Sequence, residues 1–272
     1  MIVKVLHQKY KVQIITKNSG NFLKNNYTYL IRLENKIKKL LPLFLIFVLA
    51  IITRLIYLDL RPLHHDEGVN YYFAQKIIDE GKFVYDSVNY HGPFYFFSLF
   101  LSFLVFGVSE FSLRLPTAIF GIITALSPLF FKDIKNAFNP YITSLFLIFS
   151  PSILYFSRYS IHETSLTLFS LLFIIFLGFI LEKKDFIYLP YIALCLALIL
   201  GIKETAVIFL IAIFIILVIH IKILRELKNT IFENRNLLYI SILLFFFIYI
   251  SLFTGFFTNI KGVYESIKGF LP

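Results

Sequence analysis

Seven apolar runs recur along this chain, at about 40–58, 115–131, 140–156, 164–181, 186–202, 205–221 and 237–258, each near the roughly 20 residues that a helix needs to cross ~30 Å of hydrocarbon. Polar and apolar residues do not alternate within them, so they predict helices and not barrel strands. With 58% hydrophobic residues and 34 phenylalanines in 272 positions, a water-soluble fold would lack the polar surface to cover itself. The expected class is all-α: a polytopic helical membrane protein of about seven transmembrane helices, with the lipid bilayer as its first partner.

An eighth piece, "PFYFFSLFLSFLVFG" at 93–107, has a length between that of a short span and that of a helix lying on the membrane. Charge bias decides its place. If it does not cross, and the basic tail 1–39 is cytoplasmic, then Lys132, Lys135, Lys183, Lys184, Lys222, Arg225, Lys228 and Arg235 all face the cytoplasm. Residues 59–114 then form one long external loop with interfacial helices inside a membrane domain 40–272. The same choice sends "HHDE" (64–67), "SRYSIHETS" (157–165) and "GIKETA" (201–206) to one external face. The net charge of +10 serves this orientation, and no aromatic-interleaved basic face is offered to nucleic acid. No cleavable signal precedes the first span, and the single cysteine, Cys195, allows no intrachain disulfide. The expected location is multi-pass in the plasma membrane, with the N-terminus cytoplasmic.

Within the external loop, Val69, Tyr72, Phe73 and Ile77 fall on one helical stripe beside Lys76, Asp79 and Glu80, and Gly81 supplies a stop. This predicts an amphipathic helix in the interface plane. Asp66 and Glu67 open it. Acids suit a helix N-terminus, but capping needs neither two acids nor the two histidines before them, which favours chemistry. Adjacent helical residues point ~100° apart, so one carboxylate should face the reaction centre, and Asp66 is the candidate. His91 precedes a Gly92-Pro93 turn that could aim it at the site. Arg114 stands before a span that opens with Pro116. Arg158, His162 and Glu163 follow another span, and Lys203 and Glu204 fill a short loop between two more. Arg54 sits one turn inside the first span, where a charge predicts an acidic partner such as Asp59 or Glu204. Acids can deprotonate an acceptor or hold a divalent cation, and cations can stabilise a departing phosphate. Without a phosphate-cradling Gly-rich loop, the donor is expected to be a lipid-borne phosphate, with no nucleotide cofactor.

The blocks "RPLHHDE", "YHGPF", "SEFSLRLPTAIFG", "SPSILYFSRYSIHET" and "GIKET", in this order, resemble the signatures of the GT-C membrane glycosyltransferases. These include the dolichyl-phosphate-mannose protein mannosyltransferases, and the nearest pattern is that of the archaeal-type flippase-associated branch. The resemblance covers roughly residues 40–272. It implies Asp66 as the catalytic acid/base, Glu67 as its partner, and Arg114 and Arg158 near the lipid phosphate. Glu163 takes the place of the second-loop acid, where the family usually carries Asp, and Lys203 matches a lysine of the next external loop. Such relatives continue past "GVYESIKGFLP", so the chain reads as C-terminally truncated.

The expected function is therefore transfer of a sugar from a polyprenyl-phosphate carrier to a protein or glycan acceptor on the extracytoplasmic face. Asp66 and Glu67 carry the chemistry; Arg54, Arg114, Arg158 and Lys203 bind the donor phosphate; His65, His91, His162, Glu163 and Glu204 support them. A divalent cation, Mg or Mn, held by Asp66 with Glu163 or His91 would relieve repulsion between acids and phosphate. One base acting in a single displacement would invert the anomeric centre. The rivals are a lipid-linked-sugar binding or flippase-associated accessory protein without chemistry, and a metal-dependent hydrolase on His64, His65, Asp66, His91 and His162.

Overall fold

The computed structural model describes residues 20–86, 88, 91–130, 139–220 and 234–269. The expected cytoplasmic charges Lys132, Lys135, Lys222, Arg225 and Lys228, and the first 19 residues of the basic tail, lie outside the described residues. The described elements are helical: α1 (Gly20–Leu55), α2 (His65–Glu80), α3 (Pro93–Phe106), α4 (Glu110–Phe130), α5 (Pro140–Phe149), α6 (Pro151–Phe156), α7 (His162–Lys183), a 3-10 turn (Phe186–Tyr188), α8 (Leu189–Leu200), α9 (Ala206–Ile219), α10 (Arg235–Phe253) and α11 (Lys261–Gly269). The one extended pairing among the described residues is an antiparallel bridge between His91 and Lys203.

The chain divides into two compact units, Met1–Phe47 and Val48–Pro272. The described part of the first belongs to α1, where Lys38 pairs with Glu34 one turn away at 2.7 Å. The tail boundary expected at residue 39 falls inside this helix, because Leu, Glu, Lys and Ile carry it through the basic stretch without a breaker. In the second unit, α2 packs on α3, α3 on α4, α4 on α5 and α7, α7 on α8, and α8 on α10.

Three described helices, α4, α7 and α10, are long and apolar enough to cross a membrane, and α3, α5, α9 and the 186–200 segment are shorter apolar helices. Their outward faces are oily: Ile208 (69%) and Phe214 (63%) of α9 and Leu243 (70%) of α10 are open to the surroundings. Such continuous apolar surface suits lipid and not water. This is an all-α membrane protein.

Proline decides the local shape of the spans. Pro151 lacks the N–H that would bond the Leu147 carbonyl, so the stretch expected as one span at 140–156 breaks at Ser150 into α5 and α6. Pro116 and Pro128 lie inside α4 and free the carbonyls of Ser112 and Thr124. In hydrocarbon no water can satisfy these groups, so neighbouring side chains must. Ser102 Oγ donates to Ser112 O at 2.6 Å, Ser127 Oγ to Thr124 O at 2.8 Å, and Arg54 Nη2 to Leu147 O at 3.0 Å. Helix α4 thus begins at Glu110, one turn ahead of Arg114, and Pro116 sits in its second turn instead of opening it.

Helix α2 also starts earlier than expected. His64 is its N-cap: its Nδ1 accepts the Asp66 N–H at 3.3 Å, while Glu67 Oε2 accepts the His64 N–H at 3.1 Å, a reciprocal capping box. Gly81 closes the helix in the left-handed region (φ 64°) and donates to Ile77 O. The buried face runs Glu67, Asn70, Ala74, Ile77; of the expected Val69–Tyr72–Phe73–Ile77 stripe, Ile77 is buried with Phe73 packed against it, while Val69 and Tyr72 are exposed. The reason is polar. Glu67 and Asn70 find inward partners, Asn70 Nδ2 donating to Ser160 O at 2.8 Å, and these bonds rotate the helix.

Candidate active site

The site is built around one buried carboxylate. Glu67 has no exposed surface, and its two oxygens accept four bonds: from Arg114 Nε (2.8 Å) and Nη2 (3.0 Å), and from the N–H groups of Ser160 (3.0 Å) and His64 (3.1 Å). Burial pushes this carboxyl up, but those donors outweigh it and hold it below the usual carboxylate range. Arg114, equally buried, extends its fork to the carbonyls of Leu58 (2.9 Å), Arg61 (2.8 Å) and Pro62 (3.3 Å). One residue pair therefore fastens the 58–62 segment, the first turn of α2, the head of α4 and the 157–160 turn together.

Asp66, one helical step away, points outward with its side chain 60% exposed and 3.6 Å from His64 Nδ1. The two carboxylates diverge as helical spacing requires. His65 is exposed beside it. The His64 ring packs edge-on against Tyr159 at 5.1 Å. Burial, with Asp66 and Glu67 nearby, pushes the Tyr159 phenol up to about 12, so it stays protonated.

Three expected phosphate-binding arginines are turned onto backbone. Arg54 is fully buried and finds no acid: Nη1 and Nη2 donate to Ile148 O and Leu147 O, the carbonyls exposed by the break before Pro151. The predicted partner Glu204 instead accepts the Tyr85 hydroxyl at 2.7 Å. Arg158 caps the C-terminus of α1, with Nη1 on Thr53 O (2.9 Å) and Nη2 on Tyr57 O (2.8 Å). Burial and the Arg61 and Arg114 guanidiniums beside it lower its pKa. Arg114 is committed to Glu67.

Lys203 belongs to a second cluster. The Gly92 and Phe94 N–H groups donate to Ile202 O and Gly201 O, both at 2.9 Å, which clamps the His91 turn onto the 201–203 loop. Gly is required there, since a Cβ on Gly92 would collide with the Gly201 carbonyl oxygen. The His91 ring lies 4.4 Å from that of His162, which is buried against Tyr95 and Phe96. So the turn sets the His91 ring against His162 and bridges its backbone to Lys203. Lys203 Nζ reaches Glu163 Oε1 at 2.8 Å. Glu163 also borders a cavity of about 180 Å³ walled by Thr124, Ser152, Ile153, Phe156, Thr164 and Thr167.

Residues 90–253, well over half of the chain, match the family described as dolichyl-phosphate-mannose-protein mannosyltransferase. The chain belongs to this family. It is a membrane glycosyltransferase of the GT-C type. No curated protein and no solved structure matches it. The family match begins after the 61–67 block, so that block joins the site through geometry: Glu67 bonds Arg114 and Ser160, both inside the matched stretch.

The geometry bears on two expectations about this glycosyltransferase. Glu67 has no surface through which to touch a substrate and acts as an anchor. Asp66 contacts His64, whereas Glu163 contacts Lys203 and the His91 ring faces His162; among the described residues no three His, Cys, Asp or Glu side chains are grouped to hold a metal ion. The five-residue hydrolase set is therefore not assembled among the described residues. Sequence reasoning passed over Arg61, Tyr85, Tyr155, Tyr159 and Ser160. Arg61 was within sight, as the first residue of "RPLHHDE".

Proposed function

We propose that this chain transfers a sugar from a polyprenyl-phosphate carrier to a hydroxyl of a protein or glycan acceptor, with Asp66 as the base. The observation that carries this reading is the contrast between Asp66, solvent-open at the mouth of α2, and the locked Glu67–Arg114 pair that fixes its position. The acceptor oxygen attacks the anomeric carbon while its proton passes to an Asp66 oxygen. The bond from that carbon to the phosphate oxygen breaks, and the lipid phosphate leaves with the electron pair. A single displacement of this kind inverts the anomeric configuration.

Lys203, a partly exposed cation, supplies the charge that stabilises the departing phosphate. The small cavity beside Glu163 suits the first carbons of the carrier, delivered sideways from the bilayer. In this reading the protein is multi-pass in the plasma membrane, its N-terminus cytoplasmic and its reaction on the outer face, as the basic loops favour.

The test is turnover of a labelled polyprenyl-phosphate sugar by membranes carrying the wild type or Asp66→Asn. We expect transfer by the wild type and at least a hundredfold loss in the variant, with membrane insertion unchanged. Undiminished transfer by Asp66→Asn removes the base from this scheme. Carrier binding without any turnover by the wild type would instead favour a lipid-linked-sugar binding protein.

A further inference from the structure

In a single displacement the acceptor oxygen enters and the phosphate oxygen leaves on opposite sides of one carbon, so the base and the cation have to keep a fixed separation. A shift of about 1 Å in such an arrangement can cost roughly a hundredfold in rate. Residues 160–163 join the two halves. The Ser160 N–H donates to Glu67, the neighbour of Asp66, at 3.0 Å, while Glu163 meets Lys203 at 2.8 Å. Between them the chain is irregular: Ile161 is extended (φ −138°, ψ 161°), and its side chain does not cap α7. Helix geometry does not stiffen this link, so its stiffness has to come from what packs on it.

Tyr95 of α3 packs there. Its hydroxyl lies 2.7 Å from Ser160 Oγ and 2.6 Å from Thr117 Oγ1 of α4, and its ring lies 4.6 Å from that of His162. It thus grips the link at Ser160 with its hydroxyl and at His162 with its ring, and all three residues are buried. The His162 ring in turn meets that of His91 at 4.4 Å, and the His91 backbone bridges Lys203. His162 Nε2 has no hydrogen-bond partner, which leaves that end of the ring to packing. The sequence marks the same position. In "PFYFFSLF" phenylalanine stands at 94, 96 and 97, and a buried hydroxyl at 95 is costly unless it is paired. Filling space would not need it.

We propose that Tyr95 is a positioning residue that braces the 160–163 link and so sets the register of Asp66 against Lys203; this rests on the transferase reading and adds the device that holds its two halves together.

The experiment measures donor turnover, thermal unfolding and amide hydrogen exchange for the full chain in nanodiscs. Tyr95→Phe keeps the ring and loses the bond to Ser160. Ser160→Ala removes the same bond from its other end and keeps the backbone N–H on Glu67. Thr117→Val takes a buried bond from Tyr95 but leaves the one to Ser160. All three should unfold within about 4 °C of the wild type. Tyr95→Phe and Ser160→Ala should each lower kcat about tenfold with donor KM within about twofold, because register matters in the transition state, whereas Thr117→Val stays near the wild type. Exchange in residues 201–206 should quicken about threefold in the first two variants and not in the third. Register counts only while Lys203 is present, so Tyr95→Phe combined with Lys203→Met should be little slower than Lys203→Met alone. Wild-type kcat in Tyr95→Phe and Ser160→Ala, an equal loss in Thr117→Val, unchanged exchange at 201–206, or losses that multiply in the double variant each overturn the brace and leave the transferase reading standing. If the wild type turns over no donor but exchange at 201–206 still answers to Tyr95→Phe and Ser160→Ala alone, the brace stands and the transferase reading fails.

Discussion

Glu67–Arg114 and Glu163–Lys203 are both carboxylate–cation contacts of 2.8 Å, yet the first pair has no exposed side-chain surface whereas Glu163 and Lys203 are 49% and 23% exposed. Burial decides what each can do. A charge taken out of water has to recover its solvation from fixed partners, and Glu67 and Arg114 do so with each other and with backbone from three segments. They are unavailable for anything else. Glu163 and Lys203 keep much of their hydration and can exchange each other for a ligand at little cost.

Breaking the buried pair should have the largest effect. Glu67→Gln leaves the buried Arg114 with only the half-exposed Glu110, 3.5 Å away, as an acidic contact, and breaking a buried pair in this way costs about 3–5 kcal/mol. Thermal unfolding in detergent should show a collapse of stability, and recovered protein should lack order around α2. A stability change below about 1 kcal/mol would show that water reaches the pair.

Acid attacks the same pair more gradually. The Glu67 carboxyl is held below its unfolded value, so its contribution to stability is complete above the ordinary carboxylate range near ~4.3 and is lost as pH falls through the lower folded value. Stability should therefore hold above that range, begin to fall as pH enters it, and go on falling until the lower folded value is passed. A decline centred at or above the ordinary range would contradict the downward shift.

Much of this comparison could be read from sequence, and its limits have physical causes. The apolar runs announce the membrane helices, and the spacing of Asp66 and Glu67 announces that they diverge. What a single sequence does not carry is the direction of carbonyls. Arg54 looked like half of an ion pair because a charge in a span needs a partner, but Pro151 had already freed the Leu147 carbonyl nearly a hundred positions away. Likewise Arg158 reads as a phosphate ligand until the end of α1 is seen beneath it. Arginines beside helix breaks and helix C-termini are recruited by backbone first, and only the fold shows which are left over. Arg61 instead packs over the Tyr155 and Tyr159 rings, which its neighbours in sequence do not announce.

Between the extremes lies the clamp that presents Lys203. Gly92→Ala drives a methyl group into the Gly201 carbonyl, and relief requires the His91 turn to separate from the 201–203 loop. Overpacking of this kind costs about 1–3 kcal/mol, so the protein should still fold. Donor turnover should fall, because Lys203 and His91 lose their shared bridge. Wild-type stability in Gly92→Ala would mean that the loop yields freely.

The smallest effect on stability, and the sharpest test of the contrast, belongs to the exposed pair. Lys203→Met removes a cation from a contact screened by solvent, so unfolding should shift by less than about 1 kcal/mol. If Lys203 faces the departing phosphate, the same change should lower kcat at least tenfold, while Glu163→Gln, which frees the lysine, should leave kcat nearer the wild type. The two pairs would then separate on two axes: one controls folding and the other turnover. Loss of stability in Lys203→Met comparable to that of Glu67→Gln would erase the distinction, since the exposed pair would then be holding the α7 and α8–α9 segments together in the way that the buried pair holds α2.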